Sequence, residues 1–171
     1  MEPVYVKARD GENLLCYLSS SRGAQGGSAS PRPLVVLPHG GPQARDSWGY
    51  DPLVQLLCSR GMSVLQVNYR GSTGLGTRFM RLGMEGAFAT RMQEDIVDAA
   101  NWAVSLGWAD RDRLAIVGIS FGGYSALWAM TFQPGLYQCA VAICPLSAVG
   151  AASSQAFRGD PLVSRYWRRV F

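Results

Sequence analysis

The sequence predicts an α/β fold built on a mostly parallel sheet with helices on both faces, and three observations carry that prediction. Short apolar strand patterns alternate with helical ones from Leu34 onward. A G-x-S-x-G segment, Gly118-Ile119-Ser120-Phe121-Gly122, stands where a strand pattern gives way to a helical one. A glycine pair, Gly40-Gly41, follows the first strand of the alternating region. Strands and helices in alternation with short connections favour right-handed crossovers and parallel pairing.

Each element follows from its residues. Residues 4–8 and 13–18 read as strands joined by Asp10-Gly11, a hairpin signal, and add antiparallel strands at one edge. Residues 19–33, rich in Ser, Gly, Ala and Pro, predict a flexible loop rather than a domain linker. Residues 34–37 form a buried strand ended by Pro38. Asp51-Pro52 opens a short helix to about Arg60, with Gly61 after its end. Residues 63–67 are a second buried strand, and the Gly-rich loop 71–76 leads into an irregular stretch.

A helix over 91–106 is the clearest in the chain, because Ile96, Ala99, Ala100, Ala103 and Val104 recur at helical spacing. Glu94 and Asp95 lie in its first turns, where negative charge suits the helix dipole. A third strand over 114–117, a helix over 121–132 and a fourth strand over 139–143 complete the pattern.

Composition narrows the function classes. The 171 residues are 48% hydrophobic and 16% charged, which suits one globular domain. No apolar run reaches the ~18–20 residues of a membrane span, and Met1-Glu-Pro-Val-Tyr5 is not a leader, so the expectation is a cytoplasmic protein without a membrane partner. The formal charge is +4, almost all from scattered arginine, and this argues against a nucleic-acid face. Cys16, Cys58, Cys139 and Cys144 form no C-x-x-C pair and read as buried free thiols. Cys139 and Cys144, five apart on one strand, would point to opposite faces.

The G-x-S-x-G segment has the strand-before, helix-after context of a nucleophile elbow. A strand turning directly into a helix forces its turn residue into a strained conformation, and small residues two before and two after let helix and strand approach. Ser120 is thereby the candidate nucleophile, the competing reading being a serine that merely caps the helix. A dinucleotide loop fails because Ser120 fills the second glycine position of G-x-G-x-x-G, and at Gly74-Leu75-Gly76 the last position is Phe79. No Gly-Lys-Ser/Thr phosphate loop exists. His39-Gly40-Gly41-Pro42 offers backbone N–H groups after a strand, where this fold places one oxyanion donor; the other comes from the residue after the nucleophile. The candidate donors are Gly41, with Gly40 as its alternative, and Phe121.

Four segments taken together resemble the prolyl oligopeptidase family of serine peptidases, in its acylaminoacyl-peptidase and dipeptidyl-peptidase-like branch. They are His39-Gly-Gly-Pro42, Asn68-Tyr-Arg-Gly-Ser-Thr-Gly74, Met92-Gln-Glu-Asp95 and Gly118-Ile-Ser-Phe-Gly-Gly-Tyr124, in this order. The opening Val6-Lys-Ala-Arg-Asp-Gly11 is similar as well. The resemblance implies an α/β-hydrolase fold and a serine hydrolase acting on short peptides or acyl-peptides, without metal or cofactor. Ser120 would carry over as nucleophile, with the backbones of Gly41 and Phe121 as oxyanion donors. Three departures concern substrate choice: Gln43 stands where a second histidine is common, Phe88-Ala89 replaces an expected Trp-Gly, and the family's β-propeller is absent.

A serine nucleophile needs a general base oriented by a carboxylate, and in this fold acid and histidine follow the serine. After Ser120 the sequence holds one acid, Asp160, in a turn-like Arg158-Gly-Asp-Pro161, and no histidine. His39 precedes the serine, in a loop whose backbone carries more of the expected role than its ring. The expectation is therefore a partial domain over 1–171, ending before the strands that carry acid and base. An esterase on the same fold and a non-catalytic binding module remain the alternative readings.

Overall fold

The computed structural model describes residues 1–20, 31–84 and 86–147. Six strands form one sheet in the order β1-β2-β4-β3-β5-β6. These are β1 (Glu2–Lys7), β2 (Asn13–Ser19), β3 (Arg32–Pro38), β4 (Ser63–Val67), β5 (Ala109–Ile119) and β6 (Cys139–Ile143). The helices are α1 (Pro52–Ser59), α2 (Thr77–Arg81), α3 (Arg91–Ser105) and α4 (Phe121–Phe132), with a 3-10 turn at Ala87–Ala89. β1 and β2 pair antiparallel, and β2 joins β4 antiparallel. From β4 through β3 and β5 to β6 every pairing is parallel.

Alternation along the strands divides the core between the two faces. Leu34, Val36, Leu65, Val67, Leu114 and Ile116 pack on the face covered by α3 and α4, against Met92, Ile96, Ala99, Ala103 and Ala126. Val35, Leu37, Val64 and Val117 turn to the other face and meet Val54 and Cys58 of α1. Both faces of the central strands are dry, which is why β3 and β4 read as continuous apolar runs. α1 begins as its sequence requires: Asp51 Oδ1 accepts from Val54 N at 2.9 Å, and Pro52 needs no donor there.

Several boundaries differ from the sequence reading. Ser19 closes β2 and Arg32 opens β3, so the expected 19–33 loop is shorter than its composition suggested; residues 21–30 of it lie outside the described residues. β5 starts five residues before 114, because Ala109 pairs with Arg32 ahead of a register shift that accommodates the charged Asp110–Arg113 stretch. The stretch after Gly76 is not irregular: α2 and the 3-10 turn occupy it. Cys16 and Cys58 are buried as expected, whereas Cys139 and Cys144 are exposed. Cys139 opens β6, the last of the described strands in the sheet order, and Cys144 lies just past it at φ 46°, so no strand alternation relates the two. Asp160 lies outside the described residues.

One buried ion pair ties the loop after β4 to α3 and the hairpin. Arg70 and Asp95 are 2% and 0% exposed in their side chains. Asp95 Oδ2 accepts from Arg70 N and Nε, each at 2.8 Å, and Oδ1 accepts from Nη2. The guanidinium also donates to both Asp10 oxygens at 2.7 and 3.1 Å. Burial disfavours the charged carboxylate and keeps its pKa above the usual value, and the hydrogen bonds from Arg70 offset only part of that cost. Arg70→Met strands Asp95 without its partner and is expected to cost about 3–5 kcal/mol in a urea unfolding titration. Adding Asp95→Leu should recover most of that loss.

Candidate active site

β5 runs straight into α4, and the turn residue is Ser120 at φ 57°, ψ −115°. That left-handed φ is costly for a side-chain-bearing residue and persists only where neighbours enforce it. The neighbours here are backbone atoms. A Cβ on Gly118 would collide with the Gly122 carbonyl group, and a Cβ on Gly122 would collide with the Pro38 carbonyl oxygen at the end of β3. Ser120 N donates to Ile143 O at 2.9 Å, which pins the turn to the end of β6. The helix-cap alternative fails, because Ser120 occupies the N-cap position without a side-chain cap bond. Its Oγ is thereby held, half-buried, at the C-terminal edge of the parallel strands, where open α/β sheets bind ligands.

The glycine pair after β3 lies beside this serine. An added Cβ on Gly40 would stand 3.2 Å from Ile119 O and 3.6 Å from Ser120 Cβ, so the bare backbone of Gly40 passes against the serine. Gly41 follows at φ 127°. The Phe121 N–H belongs to the first turn of α4, where the amides have no intrahelical acceptor. Thus the structure brings the Gly40 backbone against Ser120, joining two segments about 80 residues apart in sequence.

Residues 68–74 knit this loop to the fold. Asp46 N donates to Asn68 Oδ1 at 2.8 Å, and Asn68 Nδ2 returns a bond to Asp46 O at 3.2 Å. Thr73 N donates to Ala44 O at 2.9 Å. Tyr69 is fully buried and stacks on the His39 ring, centroids 4.3 Å apart and planes 18° apart. Phe121 lies 5.7 Å from Tyr69 and 5.6 Å from Tyr124, and Tyr124 lies 5.9 Å from Phe88. This file of rings links His39 of the glycine loop to Phe121 and Tyr124 at the start of α4. Tyr69 and Ser72 lie in the Asn68–Gly74 segment, whose sequence shows no role for either, since both act across the fold.

His39 is not poised as a base. Nδ1 lies 2.7 Å from Gly40 O and Nε2 lies 2.8 Å from Ser72 Oγ, so both ring nitrogens are engaged. Burial of the ring lowers its pKa to about 4, leaving a neutral imidazole at physiological pH. Asp46, in the same loop, is displaced the other way: burial raises its carboxyl to about 7. The Gln66 side chain hydrogen-bonds the Asp46 carboxyl and offsets part of that shift.

Comparison with known proteins places these features. Residues 48–158 match the model of the prolyl oligopeptidase family. This chain belongs to that family. It is 42% identical to dipeptidyl aminopeptidase BIII of Pseudoxanthomonas mexicana across 99% of its own length and 24% of that protein. It is 31% identical to acylamino-acid-releasing enzyme 1 of Oryza sativa subsp. japonica, over 70% of this chain and 16% of that one. A crystal structure of puromycin hydrolase superposes with a TM-score of 0.86 at 29% identity, covering 99% of this chain and 25% of that chain. The chain thus spans about a quarter of the length of these longest-covered relatives. The fold is that of an α/β-hydrolase, in a partial domain. Among the described residues no helix is long and apolar enough to cross a membrane.

Two outcomes follow from the geometry. Gly118→Ala drives a methyl into the Gly122 backbone, which cannot yield as a flexible side chain could. It should destabilise the chain by about 2 kcal/mol or more, read from the thermal midpoint, while Gly135→Ala, at an exposed turn with open space around it, costs less. For Asp46, the folded pKa of about 7 exceeds the unfolded value of 3.8, so the native state holds more protons between those pH values. Its contribution to stability is fully present below pH 4 and lost as pH rises through 7. Asp46→Asn removes that dependence. It should be more stable than the unmodified chain at pH 8 by on the order of 2 kcal/mol, with the gap closing toward pH 4 in paired denaturation curves.

Proposed function

We propose that this chain supplies the nucleophile and the oxyanion hole of a serine-type peptidase that hydrolyses short peptides or acyl-amino compounds through an acyl-enzyme on Ser120. The observation that carries the reading is the Ser120 backbone, held at φ 57° between β5 and α4 with no capping bond for its side chain. A serine kept in a strained turn without a local structural task is a serine held for chemistry. Family membership and relatives called a dipeptidyl aminopeptidase and an acylamino-acid-releasing enzyme support the substrate class.

In the reaction, Ser120 Oγ attacks the scissile carbonyl and its oxygen becomes an oxyanion. The N–H groups of Phe121 and Gly41 (or Gly40) receive that charge, each donor being worth about 3–4 kcal/mol in the transition state. Collapse of the tetrahedral intermediate expels the amine and leaves an ester on Ser120, and water then hydrolyses it. The route needs protein groups and water alone. His39, the one histidine of the sequence, has both ring nitrogens engaged and is not the base of this scheme. We therefore read residues 1–171 as part of a catalytic domain. The reading extends to a cytoplasmic protein, a setting that four unpaired thiols suit. The missing histidine also favours a second reading, a non-catalytic module that retains the fold as a binding partner.

A serine-directed phosphonate separates the readings. In the full-length chain as its source cell makes it, Ser120 should be labelled, and Ser120→Ala should abolish both labelling and peptide hydrolysis. Unlabelled Ser120 would leave the binding module standing. The isolated 171-residue chain, lacking the base, should retain only about 10³–10⁴-fold acceleration over water on an activated ester.

A further inference from the structure

His39 lies in the loop whose backbone is assigned above, but its ring has no place in that scheme. We propose that His39 is a positioning residue, whose Nδ1–H holds the Gly40 carbonyl and so turns the Gly41 N–H toward the Ser120 side of the loop. The inference rests on reading Ser120 as nucleophile and Gly41 as oxyanion donor.

The argument begins with the proton. Gly40 O, 2.7 Å from Nδ1, is a carbonyl and can only accept. A bond at that distance therefore places the imidazole proton on Nδ1, and Nε2 of the neutral ring becomes an acceptor. Ser72 Oγ lies 2.8 Å from Nε2 and donates its hydroxyl proton to Tyr69 O at 2.6 Å. The Tyr69 hydroxyl donates to His39 O at 2.8 Å and stands 3.2 Å from Nδ1. Two successive carbonyls of the loop, those of residues 39 and 40, are thus fixed by one pair of stacked rings.

Peptide geometry converts that into a direction. Among the described peptides only Gly41–Pro42 is cis, so Gly40–Gly41 is trans, and its N–H points opposite to its C=O. With the Gly40 carbonyl drawn to the imidazole, the Gly41 N–H is directed away from the ring. A Cβ added to Gly40 would stand 3.6 Å from Ser120 Cβ, so the loop backbone at Gly40 passes close to the serine. Without the bond, Gly41 at φ 127° has no side chain to limit rotation of the peptide, and the donor would be lost to other orientations. The ring is itself held from below: Tyr69 and Ser72 flank Arg70, whose guanidinium is locked to Asp95 and Asp10. Preorganisation of an oxyanion donor is where a small rotation costs rate without costing binding.

The test uses amide isosteres in the full-length chain as the source cell makes it. The Asn side-chain amide reaches as Nδ1 does, whereas that of Gln reaches as Nε2 does. His39→Ala and His39→Gln should lower kcat on a peptide about 100-fold with KM little changed, and slow phosphonylation of Ser120 in parallel. His39→Asn should recover most of both losses. If Gln restores the rate and Asn does not, ring volume or the Ser72 contact matters and the proposal is overturned. Equal labelling rates in all three variants overturn it alone, whereas an unlabelled Ser120 in the unmodified chain removes the nucleophile reading beneath it. Should the variants not fold, the ¹⁵N shifts of the His39 ring in the unmodified chain decide: a proton on Nδ1 is expected, and a neutral ring protonated on Nε2 overturns the proposal.

Discussion

The structure depends on one close backbone approach, where α4 enters against the ends of β3 and β5. Gly122 touches the Pro38 carbonyl and Gly118 touches Gly122, with no room for a methyl group at either. This contact forces Ser120 into a positive φ, aims the start of α4 at the sheet edge and brings the loop after β3 alongside. Strain at the serine is sustained because the surrounding sheet and core over-determine it. Nothing about the candidate site could be assembled if the helix stood farther from the strand.

A second set of interactions holds the other side of the site. The segment after β4 contributes little apolar surface, and buried polar chemistry organises it. Arg70 fixes it to α3 through Asp95 and to the hairpin through Asp10. Asn68 and Thr73 then bond the backbone of Asp46 and Ala44, while Tyr69 and Ser72 grip His39. A buried ion pair is a weak source of net stability, but it fixes register well, because any shift leaves charges unpaired. Here the fixed register is that of a loop two bonds removed from the candidate serine.

The same burial acts oppositely on the two titratable groups of the glycine loop. It disfavours the imidazolium of His39 and the carboxylate of Asp46, so near neutral pH the loop carries less charge than its sequence states. A neutral His39 keeps a donor on one nitrogen, and the Gly40 carbonyl beside Nδ1 is an acceptor. The Gln66 side chain compensates Asp46 only in part, and burial of its carboxylate remains a cost at higher pH.

By itself the sequence determined the parallel sheet, the placing of α1, α3 and α4, and Ser120 at a strand-to-helix turn. These follow from periodicity, caps and a local glycine pattern, all of which operate within a few residues. Tertiary structure decided the rest. The buried pairing of Asp95 with Arg70 spans 25 residues, and the contact of His39 with Ser72 spans 33. Charge on α3 read locally as a dipole preference, yet Asp95 is fully buried in an ion pair. The His39 ring read as incidental to its backbone, yet its two nitrogens meet Gly40 and Ser72. α2 was invisible because it is five residues long, with the single buried residue Phe79 and no apolar period. Cys139 and Cys144 read as core by type, but they belong to the last of the described strands and the residue after it, and are exposed among the described residues. Local sequence sets which elements form; only packing determines which polar groups meet, because hydrogen-bond partners are chosen by distance in space and not along the chain.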